Sequence, residues 1–151
     1  MQGEFWVIKT DQQKANAAAA VALCEVNPDA PWCVQIKTYD EKRSDAQNRL
    51  SHTWYGEISQ QGKEYAVGKV HSICKDRYGL PIMKADEIFS KFWRHATAGN
   101  PTHEEIIDEI MPMTPMTRIM TVKQMSQYLT DIQNELGQKY RLTDPSLYGL
   151  T

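Results

Sequence analysis

The chain has 151 residues, of which 41% are hydrophobic and 24% are charged, and its formal net charge is -2. This length and composition are typical of one ordinary globular domain and exclude a fibrous or intrinsically disordered chain. The slight acidity excludes a uniformly basic surface, so any binding of nucleic acid requires a local cationic patch.

The sequence shows no signal for export or for membrane insertion. Its longest mostly apolar run, residues 15–23, is too short to cross a bilayer and is interrupted by Asn16. The N-terminal residues MQGEFWVIKT lack the basic and apolar regions of a signal peptide. Cys24, Cys33 and Cys74 form no CxxC pattern, which favours reduced, buried thiols in a cytoplasmic protein.

The chain begins with a predicted β-α-β unit. Residues 4–10, EFWVIKT, are rich in aromatic and β-branched side chains, and residues 31–39, PWCVQIKTY, alternate in the manner of a strand. Between them an alanine-rich helix is predicted from Gln12 to about Val26, with Asp11 as its cap. A crossover between two paired parallel strands would be right-handed.

Several helices follow. Ser44 is a good N-cap for a helix that reaches Gln60, in which apolar residues recur every four positions, at Ala46, Leu50, Trp54 and Ile58. Further helices are predicted over residues 65–78 and 85–97, each ended by a glycine and a proline.

The C-terminal third combines a short strand with a long helix. Pro112 and Pro115 break any helix there, which makes residues 116–120 a candidate third strand. Thr121 and Gln124 form a capping box for a helix over residues 122–139. Its apolar stripe requires either the domain core or a second subunit, and consists of Met125, Leu129, Ile132 and Leu136.

The predicted fold is therefore α+β. A small β-sheet, built from the β-α-β start and the later strand, is packed by several helices, the last of them long. Residues 1–140 form a single domain in this prediction, and residues 141–151 form a loop-like C-terminal tail.

The densest chemical signal is EKRSDAQNRLSHTWYGEIS, residues 41–59, which we call the opening motif. Its cations neutralise phosphates, its amides bond to phosphates or base edges, and its aromatic residues stack on unpaired bases. These groups are, in turn, Lys42, Arg43 and Arg49, then Gln47 and Asn48, then Trp54 or Tyr55. The structural alternative is that Arg49 pairs with Asp45 and that Trp54 packs in the core.

Signals for catalysis are weak by comparison. The nearest approach to a metal-ligand pair is His71 with Cys74, and a half-buried histidine beside a core cysteine is the favoured interpretation. No nucleophile elbow or phosphate loop is present. We therefore expect no catalytic residues, no metal and no cofactor.

Two segments carry a resemblance to a known family. RSDAQNRLSHTWYGEIS, directly after a strand-like VQIKTYDEK, resembles the signature of the phage Orf/NinB recombination family. TRIMTVKQMSQYLTDIQNELGQKY is similar to the entry and long C-terminal helix of the same family. The family motif maps onto Arg43, Ser44, Gln47, Asn48 and Arg49. The family's aromatic position, five residues after the glutamine, is His52 here, so that either His52 or Trp54 is the stacking residue.

The resemblance implies a homodimeric recombination mediator. Such a protein binds single-stranded or gapped DNA, cooperates with single-strand-binding protein and helps a host recombinase to load. Outside the motif, charge alone suggests Lys91 and Arg94 as further phosphate contacts, with Trp93 as a second aromatic that unstacks or flips a base.

Two alternatives remain open at the level of sequence. The first is a phage nuclease whose Mg²⁺ is held by carboxylates such as Asp86, Glu87, Glu104 and Glu105. The second is a dimeric protein-interaction module without affinity for DNA.

Overall fold

The computed structural model describes residues 6–38 and 43–150, which fall into two compact units, Met1–Asp40 and Glu41–Thr151. Throughout these described residues the regular structure is helical, and no β-strand is formed. The predicted α+β class is therefore wrong. None of the helices in the described ranges combines the length and apolar character that a membrane crossing requires.

The described residues of the first unit, 6–38, form one helix, α1 (Asp11–Ala22). Thr10, rather than the predicted Asp11, is its N-cap, and Gln13 completes a capping box with Thr10. No residue of α1 is buried. Cys24 and Cys33 are exposed as well, so the prediction of buried thiols holds in this chain only for Cys74.

The two predicted strands of this unit are absent where the structure describes them. Residues 6–10 and 31–38 make no β-ladder, while residues 4, 5 and 39 lie outside the described ranges. Alternation of side chains fits a pleated surface, but a strand is stable only when its backbone has a partner. Here Ile8, Val34 and Ile36 remain 51%, 63% and 92% exposed.

The second unit is built around α2 (Asp45–Gly62). Leu50, Trp54 and Ile58 are buried on one face of α2, which confirms the predicted four-residue stripe. A second helical rod follows and packs against α2; it consists of α3 (Val67–Cys74), a π-helical turn (Lys75–Gly79) and α4 (Leu80–Met83). π-Helical turns are uncommon and frequently mark functional sites.

Four helical segments, each shorter than α2, follow α4 in the chain. They are α5 (Glu87–Ala96), α6 (His103–Glu105), a π-helical turn (Ile106–Ile110) and a 3-10 turn (Met111–Met113). The buried residues of α5 are Phe89 and Trp93, whose ring centroids lie 6.3 Å apart.

The predicted third strand at residues 116–120 is a 3-10 turn, Thr117–Ile119. Met116, Thr117 and Met120 are buried whereas Arg118 and Ile119 are exposed, a pattern that suits a turn and not an alternating strand. Gly79 lies directly beneath this turn, because a Cβ at Gly79 would stand 2.5 Å from the sulfur of Met116. A larger residue at this position would therefore displace the buried side chain of Met116.

The last long helix, α7 (Val122–Leu136), begins with the predicted capping box of Thr121 and Gln124. Its stripe packs into the core of its own unit, since Met125, Leu129 and Ile132 are buried and Leu136 is partly buried against them. A second subunit is not needed to cover it.

The C-terminal residues fold back onto α2. The indole of Trp54 donates a hydrogen bond to the carbonyl of Thr143 over 2.8 Å, and the hydroxyls of Thr53 and Tyr148 lie 2.7 Å apart. A 3-10 turn (Pro145–Tyr148) follows, and Leu150 packs against the core. This segment is thus continuous with the second unit.

Candidate nucleic-acid interface

The start of α2 is fixed by a buried amide. Ser44 and Gln47 form a capping box, and the amide nitrogen of Gln47 also donates to the carbonyl of Val122 at 3.1 Å and to the hydroxyl of Ser126 at 2.9 Å. Gln47 is only 3% exposed, so its hydrogen-bonding groups are used inside the protein. This clamp holds the first turn of α2 against the first turn of α7.

Arg43 enters this junction from the opening motif. Its backbone N–H donates to the carbonyl of Met120 at 2.8 Å, which joins the motif to the segment that carries Arg118. Burial lowers the pKa of the half-buried Arg43, and the nearby cation of Arg118 lowers it further. Asp45 is the one carboxylate that acts in the opposite direction.

Lys75 is a third cation at the same place, on the π-helical turn. It is 6% exposed, and its ammonium donates a hydrogen bond to the carbonyl of Met111. Burial lowers the pKa of Lys75, and Arg118 adds to that effect. Within residues 6–38 and 43–150, Lys75 has no carboxylate as an ion-pair partner. We call Arg43, Lys75 and Arg118 the cation cluster.

An aromatic group borders the cation cluster. The His71 ring stacks on Tyr55 with centroids 4.4 Å apart, and the exposed His52 ring meets His71 edge-on at 5.4 Å. Burial lowers the pKa of His71 to about 4, with further contributions from Lys75, His52 and Arg43. Burial and Arg43 also lower the pKa of His52. Both rings are therefore neutral near pH 7 and add no charge to the cluster.

Two polar atoms in this region are buried without a partner. They are Oδ1 of Asn48 and Nε2 of His71. Buried polar groups are normally hydrogen-bonded, because each unpaired one costs about 1–3 kcal/mol. Because Lys75 and Arg43 act on His71, its unpaired Nε2 distinguishes this region from an ordinary helix junction.

The remaining residues of the opening motif divide between surface and core. Arg49 is exposed and, in the described part of the chain, makes no ion pair, so the alternative pairing with Asp45 is not formed. Trp54 is 0% exposed, as the core alternative required. Lys42 lies outside the described residues.

The second predicted aromatic group lies on α5. Trp93 is buried, Arg94 is exposed, and the exposed Lys91 pairs with Glu87 at 3.7 Å. The structure therefore presents cations at this helix but not the indole ring.

Three of the four carboxylates suggested for a nuclease have local partners, and Glu87 pairs with Lys91. Asp86 caps α5 by accepting from the N–H of Phe89, and Glu105 accepts from the N–H of Thr102. Among the described residues no group of three or more histidine, cysteine, aspartate or glutamate side chains is placed to hold a metal ion.

Sequence reasoning did not identify Lys75, His71 or Arg118 as site residues. Arg118 stands within the TRIMT segment that supported the family resemblance, so its signal was present but was assigned to a helix entry. Lys75 and His71 lie on one face of α3 and its π-helical continuation, and only tertiary packing brings them to the opening motif.

Comparison with known proteins supports the family resemblance. Residues 2–70 match the family described as NinB protein, a range that contains α1 and the whole opening motif. The predicted resemblance to the Orf/NinB family is confirmed over these residues. No curated protein and no solved structure matches the chain significantly.

Proposed function

We propose that this NinB-related chain binds single-stranded or gapped DNA and acts as a non-enzymatic recombination mediator, cooperating with single-strand-binding protein to help a host recombinase to load. The observation that carries the proposal is the cation cluster at the start of the opening-motif helix. Three cations share that region, and in the described part of the chain Asp45 is the one carboxylate that acts on Arg43. Such a cluster creates the local positive field that a polyanion requires on a protein with a net charge of -2.

The exposed members of this region make the first contacts with DNA. Arg49 and Arg118 are exposed and Arg43 is half-buried, so each is available to a phosphate. Ser44 and Gln47 act indirectly, because their capping box and the clamp to α7 set the position of Arg43. Lys91 and Arg94, on α5, are proposed as weaker additional contacts.

His52 is the proposed stacking residue. It is exposed, stands five residues after Gln47 and shares a helix face with Arg49, three residues earlier. An aromatic contact with a base contributes about 1–3 kcal/mol, which is comparable to the free energy needed to unstack one base. Trp54 and Trp93 are buried and have no such role in this proposal.

A fluorescent base analogue tests the stacking role. With the analogue within a single-stranded oligonucleotide, saturating protein should raise its emission, and His52→Ala should abolish the rise while the oligonucleotide remains bound. His95→Ala, which alters an exposed histidine on α5, is the matched control and should leave the rise intact. A rise that survives in His52→Ala would assign the unstacking to another residue.

The proposed homodimer uses the first unit. This unit exposes large apolar side chains in its strand-like segments, where a second copy supplies both apolar cover and a backbone partner. These are Ile8, Trp32, Val34 and Ile36.

Direct binding and integrity of the DNA test the function as a whole. A labelled single-stranded oligonucleotide should show raised fluorescence anisotropy with protein in EDTA, and the same complex in Mg²⁺ or Mn²⁺ should yield no shortened product on a denaturing gel. Absence of binding would favour the protein-interaction module. Metal-dependent shortening would favour the nuclease.

A further inference from the structure

The most unusual group in the described structure is the ammonium of Lys75. Its side chain is 94% buried, since only 6% of its surface is exposed, and the carbonyl of Met111 is its one hydrogen-bond partner. An ammonium has three N–H donors, and burial of a charge is costly unless an opposite charge compensates it. The charged group that acts on Lys75 is another cation, Arg118, which lowers the pKa of Lys75 further.

The same imbalance extends through the cation cluster. Arg43 and Arg118 repel each other and are tied together through the hydrogen bond from the backbone of Arg43 to Met120. Among the described residues Asp45 is the only carboxylate acting on Arg43, so their charges give the cluster an excess of about two positive charges. An anion with two negative charges matches this excess better than an anion with one.

The unpartnered atoms point to the same kind of ligand. Nε2 of His71 is buried without a hydrogen-bond partner, close to Lys75 and Arg43. An oxygen-rich anion supplies an acceptor to a ring N–H at this atom, and to the unused donors of Lys75.

On this basis we propose that the cation cluster binds the terminal phosphate monoester of a DNA strand, so that the chain recognises strand ends. This inference rests on the proposed DNA-binding function and specifies its substrate. A phosphate monoester carries close to two negative charges and three unesterified oxygens. An internal phosphodiester carries one charge, has two such oxygens and is flanked by sugars on both sides, which hinders its approach to the buried Lys75.

The test compares oligonucleotides that differ only at their ends. One single-stranded sequence is prepared with a 5′ phosphate, with a 3′ phosphate, with hydroxyls at both ends, and as a closed circle. We expect one phosphorylated form to bind at least about tenfold more tightly than the hydroxyl form, the effect of one further charge-assisted hydrogen bond. The circle should bind like the hydroxyl form, and the preferred end identifies which terminus enters the site.

Variants then assign the preference to the cluster. Lys75→Met removes the buried charge at similar volume, a change that buried positions tolerate well, and should reduce the preference for phosphorylated ends to nearly onefold. Arg141→Ala removes an exposed arginine whose backbone is bonded to Gln61 at the opposite end of α2, and should preserve the preference.

Equal affinity of the unmodified protein for all four oligonucleotides would overturn the end-recognition inference while the proposed function stands. Failure to bind any of them would overturn both. A preference that persists unchanged in Lys75→Met would remove the terminal phosphate from this site.

Discussion

The two units of the chain differ in whether their apolar side chains are exposed or buried. In the first, α1 buries nothing and Val26 and Ile36 are more than 90% exposed. In the second, Leu50, Trp54 and Ile132 are fully enclosed. Both stretches of sequence carry clear secondary-structure signals, so the difference lies in whether the chain itself supplies a partner surface.

The hydrogen bonds that begin a helix are made between residues close in sequence, whereas the hydrogen bonds of a strand are not. Capping boxes start α1, α2 and α7, and each is completed within three residues. A strand needs hydrogen bonds from another backbone, and none reaches residues 31–38 from elsewhere in the described chain. The helical second unit therefore covers its own apolar stripes, whereas residues 31–38 have no backbone partner among the described residues.

The largest expected difference in stability between variants of the two units comes from placing a carboxylate in each unit. Leu129→Asp puts an unpaired carboxylate into the core, where Leu129 is 7% exposed, and should lower the free energy of unfolding by about 4 kcal/mol. Ile36→Asp alters a side chain that is 92% exposed and should change that free energy by less than about 0.5 kcal/mol. Chemical denaturation followed by circular dichroism measures both.

Sedimentation measures the effect of the same substitutions on the oligomeric state. Ile36→Asp should dissociate the proposed dimer while leaving the second unit folded. A Leu129→Asp protein as stable as the unmodified chain would contradict the placement of α7. An Ile36→Asp protein that stayed dimeric would remove this segment from the subunit interface.

Two of the capping-box glutamines, Gln47 and Gln13, allow a finer comparison of the two units. Gln47→Ala removes a buried amide that donates to the half-buried carbonyl of Val122 and to the hydroxyl of the exposed Ser126, and should cost about 2–3 kcal/mol. Gln13→Ala removes the same kind of cap from the exposed α1 and should cost about 0.5–1 kcal/mol. Hydrogen exchange measures both, since amides throughout the second unit should respond to the first change and only those of α1 to the second. Equal, local effects would show that Gln47 does not clamp α2 to α7.

A smaller loss of stability should appear when the pH is lowered. The pKa of His71 falls from 6.5 in the unfolded chain to about 4 in the folded protein, so the unfolded state binds more protons between those values. The contribution of His71 to stability is complete above pH 6.5 and is lost as pH falls towards 4. Discounted for partial exposure, the loss is about 1–2 kcal/mol.

His71→Phe separates this effect from general acid denaturation. The variant should show a shallower decline of the denaturation midpoint between pH 6.5 and pH 4, whereas His95→Phe, on the exposed surface of α5, should follow the unmodified protein. Parallel curves for all three proteins would mean that His71 does not titrate as its burial requires.

The sequence predicted the scaffold of the site better than its chemistry. α2, its N-cap at Ser44 and the α7 capping box follow from neighbouring residues and were predicted correctly. The role of Gln47 depends on Ser126, 79 residues away, and the cation cluster unites residues from three distant segments. Contacts between residues so far apart in the chain leave no local sequence pattern. The sequence therefore identified Arg43 as a site residue but not Lys75 or Arg118.

The salt dependence of single-stranded DNA affinity tests the central claim most directly. If about four phosphates are neutralised, log affinity against log salt has a slope of roughly -3, and each lost contact flattens it by about 0.7. Arg43→Ala with Arg49→Ala should therefore give a slope near about -1.6, while Lys139→Ala with Arg141→Ala, an equal loss of charge beyond the other end of α2, should leave it unchanged. An unchanged slope in the Arg43–Arg49 double variant, or equal flattening in both pairs, would contradict binding of DNA at the cation cluster.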